Sequence, residues 1–358
     1  MTRAPAGCFG LAPPRLTRAS LVEFFDYLFG GFDAAFEAQP ITSRHLIGGS
    51  VYEIASDLPD YMGAVETGLA GRTINGGSSE CRIIVTTSGK AGLPVTPKWA
   101  ELFYAERDVE AVLSNSRYRV HHMLDIGFWQ FFDRARGCGI QLMNSPAAYP
   151  PWDMGSPLRN FVHWHFAGRQ SGLIHAGTLA VGGTGVLLAG PGGSGKSGTV
   201  LGGLMRGMQS VGDDYVLLQL GDNIRVQSVF TTMKQDPQGL ARLGTSRPDA
   251  ELNWQGKHHL RLSDESTGFS VDDIRARALL LPHITGKSLT RIRPASAKDA
   301  FLALAPSGVS QIPGDRNASF AICAEVSRRL TCHHLDLGVD PDEITKRLRN
   351  FIADGANG

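Results

Sequence analysis

Cysteine is scarce in the sequence, with five residues among 358. They are widely spaced and odd in number, and none belongs to a Cys-x-x-Cys pair: Cys8, Cys81, Cys138, Cys323 and Cys332. This pattern argues against a disulfide scaffold and against a zinc site built from paired cysteines. The sequence therefore predicts a protein of a reducing compartment.

The sequence also lacks an excess of charge of either sign. Lysine and arginine number 35 and the acidic residues 34, which leaves a formal net charge of +1. Without a local patch, such a balance attracts neither nucleic acid nor an anionic membrane surface. We expect no nucleic-acid partner.

Long apolar segments are missing as well. The first ten residues contain no apolar stretch of signal-peptide length, and the apolar run 179–189 is interrupted by Gly182, Gly183 and Gly185. We therefore expect a soluble cytoplasmic protein with no membrane partner.

Apolar residues are nevertheless frequent enough for a packed core, at 42% of the chain against 19% charged. A length of 358 residues is more than one ordinary core fills, so it predicts two domains or one domain with a large extension. A proline cluster marks the boundary: Pro146, Pro150, Pro151 and Pro157. We predict an α/β protein, α+β overall, with an N-terminal α+β domain over residues 1–150 and a second domain over 151–358.

Hydrophobic patterning in the first part predicts one helix and several strands. Apolar residues recur at helical spacing over Ala19–Ala38, and β-branched residues dominate Cys81–Thr87. The segment Tyr118–Met143 is typical of antiparallel strands joined by turns. Its aromatic residues, Phe128, Trp129, Phe131 and Phe132, are dense enough for a peptide-binding surface, although core packing is the better interpretation.

The second part has a clearer order of elements. Strands are predicted over Ile174–Val181, Val186–Ala189, Ser210–Leu220 and Ile224–Phe230. Helices are predicted over Leu158–Trp164, Lys196–Arg206, Ala297–Leu304, Ala318–Leu330 and Pro341–Ile352.

A phosphate-binding loop is the strongest motif of the chain. It reads Gly190-Pro191-Gly192-Gly193-Ser194-Gly195-Lys196-Ser197, a full Gly-x-x-x-x-Gly-Lys-Ser match between a predicted strand and a predicted helix. Glycines let successive backbone N–H groups point at phosphate oxygens, and the helix adds its positive end. Lys196 would bind the β- and γ-phosphates, and the Ser197 hydroxyl would bind Mg²⁺. The motif predicts nucleotide binding.

Two adjacent carboxylates follow this loop, in the segment Val211-Gly212-Asp213-Asp214-Tyr215-Val216. One carboxylate can hold Mg²⁺ while its neighbour accepts the proton of an attacking hydroxyl. A solvated acidic turn is the alternative. His175 precedes the loop on a predicted strand, and a lone histidine is more often structural than catalytic.

These residues together resemble a known family. The run Ile174-His175-Ala176-Gly177, the loop, Arg206-Gly207 and Gly212-Asp213-Asp214 are similar to the catalytic core of HPr kinase/phosphorylase. They are also similar to the HPr-kinase-related kinases, including the lasso-peptide tailoring kinases. Phosphoenolpyruvate carboxykinase is a more distant relative with a phosphate loop and a Gly-Asp-Asp strand. The resemblance covers residues 159–215, and the tail more weakly.

The resemblance implies a P-loop kinase core with a mixed sheet, in which Asp214 accepts the proton of a substrate serine and His175 assists. It also implies that Lys196 and Ser197 hold ATP and Mg²⁺ with Asp213 at or beside the metal, and it allows a homo-oligomer. Three functions stay open: a serine kinase for a protein or peptide presented by the N-terminal domain, a kinase for a small-molecule hydroxyl, and a nucleotide-binding regulator.

Overall fold

A computed structural model describes residues 17–70, 72–87, 106–248, 251–265, 268, 273–309 and 311–354. These residues form a mixed α/β protein with two main sheets. The one helix predicted over Ala19–Ala38 is two helices, because the chain turns at Gly31 between them. Thr17 begins the first of these helices by accepting a hydrogen bond from the backbone N–H of Ser20, which satisfies one of its free donors.

The first sheet has the strand order β3-β1-β2-β4-β7-β6-β5 among the described residues. Its strands are β1 (Ile41–Ile47), β2 (Ser50–Ser56), β3 (Arg72–Thr73), β4 (Cys81–Thr87), β5 (Tyr118–Met123), β6 (Phe128–Asp133) and β7 (Cys138–Met143). The helices of this part are α1 (Arg18–Gly30), α2 (Phe32–Glu37), α3 (Pro59–Gly68) and α4 (Glu106–Leu113). The predicted strand at Cys81–Thr87 and the antiparallel set within Tyr118–Met143 are confirmed.

The second sheet has the order β16-β17-β15-β12-β11-β8, and β10 pairs with both β15 and β9. Its strands are β8 (Ser171–His175), β9 (Gly177–Val181), β10 (Thr184–Leu188), β11 (Tyr215–Leu220), β12 (Ile224–Ser228), β15 (Asp273–Lys287), β16 (Arg291–Pro294) and β17 (Thr331–Gly338). A separate antiparallel pair consists of β13 (Thr232–Gln235) and β14 (His258–Arg261). The main sheet is mixed, because β15 is parallel to β10 and β17 and antiparallel to β12.

The helices of this second part cover the sheet and end the chain. They are α5 (Arg159–Phe166), α6 (Lys196–Met205), α7 (Pro237–Arg242), α8 (Leu262–Glu265), α9 (Ala297–Val309), α10 (Arg316–Arg329) and α11 (Pro341–Asp354). In the described parts of the chain, no helix is long and apolar enough to cross a membrane.

Two strand predictions differ from the structure in ways that shape the site. The strand predicted over Ile174–Val181 is divided at Ala176, because β8 pairs with β11 whereas β9 pairs with β10. The strand predicted over Ser210–Leu220 begins only at Tyr215. Asp213 and Asp214 therefore lie in the segment that leads into β11, at the end of the sheet where the phosphate-binding loop follows β10.

One hydrophobic cluster joins the two parts of the molecule. It combines Phe132 of β6 with Phe161 and Trp164 of α5 and with Tyr215 and Leu217 of β11. All five side chains are buried, and the four aromatic residues singled out in β6 are buried as well, so core packing is confirmed for them. The first sheet thus packs through α5 against the strand that follows the aspartate pair.

His163 of α5 is buried at the contact with α10, where its ring lies 3.4 Å from the Ser319 hydroxyl. Burial lowers its pKa to about 4, although the charge of Asp315 raises it. Between pH 6.5 and pH 4 the unfolded chain therefore binds a proton here that the folded chain does not, so stability falls as the pH drops.

We expect His163→Gln to weaken this acid sensitivity. Because of His163, the wild-type free energy of unfolding should fall by about 2 kcal/mol between pH 7.5 and pH 5. In the variant, this part of the decrease should be absent. Urea denaturation at both pH values measures it, with the exposed His283→Gln as the matched control. Equal pH dependence of the wild type and the His163 variant would show that His163 does not titrate with unfolding.

Candidate functional site

The phosphate-binding loop follows β10, which ends at Leu188, and the loop ends where α6 begins at Lys196. Glycine is required at Gly195, where φ is 103° and an added Cβ would lie 2.5 Å from Leu337 Cδ1. Gly193 also has a positive φ, of 79°. The strand–loop–helix context on which the motif depends is therefore present.

Lys196 is buried and folds back over the loop. Its Nζ donates hydrogen bonds to the carbonyl oxygens of Gly190, at 2.7 Å, and Pro191, at 3.1 Å. Burial lowers the pKa of this ammonium group, while the charges of Asp213 and Asp214 raise it. The lysine is thus a buried cation with two carboxylates nearby, at the first turn of α6.

Asp213 is 4% exposed and lies beside the loop. Burial raises the pKa of Asp213 to about 6. A hydrogen bond from Ser197 acts in the opposite direction, whereas the charge of Asp214 adds to the increase. The Oδ1 atom of Asp213 is buried and has no hydrogen-bond partner among the described residues. A buried carboxylate oxygen without a donor is costly, so this atom is suited to a cation.

Asp214 contacts a histidine and a lysine. Nε2 of His175, the last residue of β8, lies 3.0 Å from Asp214 Oδ1, and Nζ of Lys234 on β13 lies 3.6 Å from Oδ2. Burial alone would raise the pKa of Asp214, but the hydrogen bond and charge of His175, with Lys234 and Arg159, hold it well below its usual range. Asp214 is therefore ionised at neutral pH.

Three planar groups stack along the wall next to Asp214. The rings of His175 and Tyr215 stack with centroids 5.3 Å apart, and the Arg159 guanidinium lies 4.7 Å from the Tyr215 centroid. Tyr215 Oη donates to Gln311 Oε1 at 3.0 Å, which continues the wall into the segment before α10. The register of β8 and β11 produces the stack, because His175 and Tyr215 are direct partners.

Part of the segment 311–316 lines the cavity, and this segment is held by residues of the first part of the chain and by Trp164 of α5. Arg119 on β5 donates through Nε to Asp315 Oδ2 at 2.8 Å, and Arg134 lies 3.3 Å from Asp315 Oδ1. The backbone N–H of Gly314 donates to Glu110 Oε1 of α4 at 2.6 Å. The Trp164 indole donates to the Pro313 carbonyl at 2.7 Å. Contacts from β5, the turn after β6, α4 and α5 therefore hold this wall of the cavity.

One cavity of about 1010 Å³ is lined by the loop, by the two aspartates with the stacked groups beside them, and by part of the segment 311–316. Of the site residues predicted from sequence, it brings together His175, Gly192, Gly193, Gly195, Lys196, Ser197, Asp213 and Asp214. Gly190, Pro191 and Ser194 are in the loop beneath Lys196, and the Ser194 hydroxyl is buried. Glu110 and His121 reach the cavity from the first part of the chain, and Trp152 and Trp254 line it as well.

Sequence reasoning missed Lys234, Arg159, Tyr215 and Gln311 as site residues. Lys234 follows no motif and reaches Asp214 only because β13 lies beside the cavity. Arg159 and Tyr215 were within the segment that resembles the kinase family, but no spacing rule marked them.

Comparisons with known proteins assign the chain to no family. No protein-family model matches the chain, and a search of curated proteins finds no match.

Proposed function

We propose that this chain is a P-loop kinase that transfers the γ-phosphoryl group of ATP to a serine hydroxyl of a peptide or protein. The observation that carries the proposal is the meeting, in one cavity, of a phosphate-binding loop with an ionised aspartate that contacts His175. A loop alone is enough for any nucleotide-binding protein. Asp214 adds the group that direct transfer to a hydroxyl needs.

In the proposed step, the serine oxygen attacks the γ-phosphorus in line with the bond to the bridging β,γ-oxygen. The new O–P bond forms, the bridging bond breaks, ADP leaves, and the hydroxyl proton passes to Asp214. Because the pKa of Asp214 is held low, the carboxylate first orients the hydroxyl and takes its proton only as the new bond develops. His175 and Lys234 hold the carboxylate in place through their contacts with its two oxygens.

The loop supplies the groups that bind the triphosphate. Lys196 needs only to release the Gly190 and Pro191 carbonyl oxygens to reach phosphate oxygens, which are stronger partners because they are charged. The backbone N–H groups at the start of α6 add a positive end for the phosphates. Apolar side chains of Ile284, Leu337 and Val339 line the cavity as well and suit the adenine ring.

The residues present also fit a magnesium ion. Asp213 Oδ1 is a buried oxygen with no donor in the described parts of the chain, and the Ser197 hydroxyl lies next to the same carboxylate. No cluster of three or more His, Cys, Asp or Glu suited to a metal occurs among the described residues. Mg²⁺ is commonly held by one or two carboxylates together with substrate phosphates, so Asp213 and Ser197 would hold it only with ATP. Its chemistry there would be to neutralise charge on the phosphate oxygens.

The site supports two other functions less well: a kinase for a small molecule and a regulator that binds ATP without transferring phosphate. A small-molecule kinase would need a single compact pocket, whereas this cavity is at the upper end of the usual size range and is lined from both parts of the chain. A regulator that binds ATP without transferring it has no need of a proton acceptor such as Asp214. A peptide or protein acceptor is therefore the better-supported function.

The deciding experiment incubates the protein with ATP, Mg²⁺ and a degenerate library of amidated peptides with serine fixed at the centre. Mass spectrometry should find phosphate on the central serine, and the signal should require Mg²⁺. Transfer to free serine or a sugar instead would favour a small-molecule kinase. If calorimetry showed ATP binding and no phosphate were transferred to any acceptor or to water, the protein would be a nucleotide-binding regulator.

We expect Lys196→Ala to weaken ATP binding by roughly 10- to 100-fold, because the variant lacks a charged hydrogen-bond donor to the phosphates. Isothermal titration calorimetry with ATP and Mg²⁺ measures this change. Lys298→Ala, which removes an exposed lysine of α9, is the matched control and should bind ATP like the wild type. Unchanged ATP affinity in the Lys196 variant would show that Lys196 does not bind the phosphates of ATP.

A further inference from the structure

The charges of the cavity indicate what accompanies the acceptor serine. Resting on the proposed kinase function, we propose that Arg159, supported by Lys234, forms an anion-binding subsite for an acidic side chain of the acceptor peptide next to its serine. The subsite lies on the acceptor side of Asp214, beyond the Tyr215 ring.

Arg159 is a cation whose hydrogen-bonding capacity is unused. Among the described residues its guanidinium forms no ion pair and no hydrogen bond, and its Nε atom is buried without a partner. Of the other arginines that line the cavity, Arg316 contacts Glu110 at 3.3 Å and Arg242 is exposed. The guanidinium lies over the Tyr215 ring, 4.7 Å from its centroid, in a cation–π contact that favours this position. Arg159 thus has N–H donors available beside Tyr215, although the charges of Asp153 and Asp214 are close enough to interact with it.

The position of Arg159 separates it from the phosphate-binding loop. Lys196 donates hydrogen bonds to the Gly190 and Pro191 carbonyl oxygens within the loop. Arg159 instead lies over the ring of Tyr215, the residue that follows Asp214, and Lys234 lies 3.6 Å from Asp214 Oδ2. Both cations are therefore placed at Asp214 by contacts that do not involve the loop carbonyls. A group bound by Arg159 belongs to the molecule that brings the hydroxyl to Asp214, not to the triphosphate.

A carboxylate is the group that this arrangement selects. A guanidinium presents parallel N–H donors that match a carboxylate with two hydrogen bonds. Lys234 adds a second positive charge next to Asp214. Trp152 and Trp254 line the same cavity with ring centroids 6.2 Å apart, and they offer an apolar surface to the rest of a peptide. Together these groups suit a peptide with an acidic residue near the serine.

The test uses the amidated serine-centred library, so that no chain-terminal carboxylate contributes. Two readouts are taken: the composition around phosphoserine in the products, and the composition of peptides retained by the immobilised protein with ADP and Mg²⁺. For the wild type we expect Asp and Glu to be enriched next to serine in both. For single peptides, exchange of that Asp for Asn should lower kcat/KM about tenfold or more.

Variants identify the residue responsible. Arg159→Gln should lose the acidic preference while ATP affinity is unchanged, and Arg159→Lys should retain part of it. Arg291→Gln, which removes an exposed arginine of β16, is the control and should keep the full preference. Weaker ATP binding in Arg159→Gln would place Arg159 on the nucleotide and overturn the subsite.

The two proposals fail in different ways. Transfer to the library without acidic enrichment overturns the anion subsite and leaves the kinase. Retention of acidic peptides without transfer supports the subsite and overturns the kinase. Neither transfer nor retention overturns both.

Discussion

Asp214→Asn is expected to slow phosphoryl transfer by about 10²- to 10⁴-fold, the usual contribution of a positioned proton acceptor. Asparagine keeps the shape of the side chain but cannot take the hydroxyl proton. ATP affinity should stay within a few-fold of the wild type, because the ion pairs of Asp214 are with His175 and Lys234. Single-turnover transfer rates and calorimetry with ATP and Mg²⁺ measure the two effects separately.

Asp222→Asn is the matched control for this substitution. Asp222 is exposed in the turn between β11 and β12, so the same chemical change there should alter neither rate nor affinity. If Asp214→Asn weakened ATP binding as much as it slowed transfer, Asp214 would be a nucleotide-binding residue and the assigned role would be wrong. A transfer rate equal to that of the wild type would exclude Asp214 as the proton acceptor.

The second large effect is expected for Asp315→Asn. We expect this variant to lose about 3–5 kcal/mol of unfolding free energy, because a buried ion pair loses one partner and leaves charge uncompensated. The side chains of Asp315 and Arg119 are each only 9% exposed, and Arg134 depends on the same carboxylate. The backbone is not the cause, since Asn tolerates the left-handed conformation in which Asp315 has φ 53°. Urea denaturation at pH 7.5 measures the loss.

Asp342→Asn provides the contrasting ion pair. Asp342 pairs with Arg206 but its side chain is 80% exposed, so its loss should cost no more than about 1 kcal/mol. Similar stabilities of the two variants would show that burial does not strengthen the Arg119–Asp315 contact. Because Asp315 anchors the segment that presents Gln311 to Tyr215, its variant should also raise the KM for the acceptor more than it changes ATP affinity.

Local sequence was sufficient for the phosphate-binding loop and most of the elements around it. The loop depends on consecutive residues, because glycines at Gly193 and Gly195 permit the positive φ angles that the turn needs. Strand β4 was predictable for a similar reason, since β-branched residues follow one another there. The exceptions are the helix that turns at Gly31, the strand divided at Ala176 and the strand that begins only at Tyr215. Strands β13 to β17 were not predicted at all.

The surroundings of Asp214 required the tertiary structure. His175 and Asp214 were associated through a family resemblance, and their 3.0 Å contact depends on the pairing of β8 with β11. Lys234 arrives from β13, and Asp315 is held by arginines of the first sheet. Such contacts join residues far apart in the chain, so no periodicity or spacing encodes them. They depend on which strands pair and on how α5 packs against both sheets, and only the folded chain decides this.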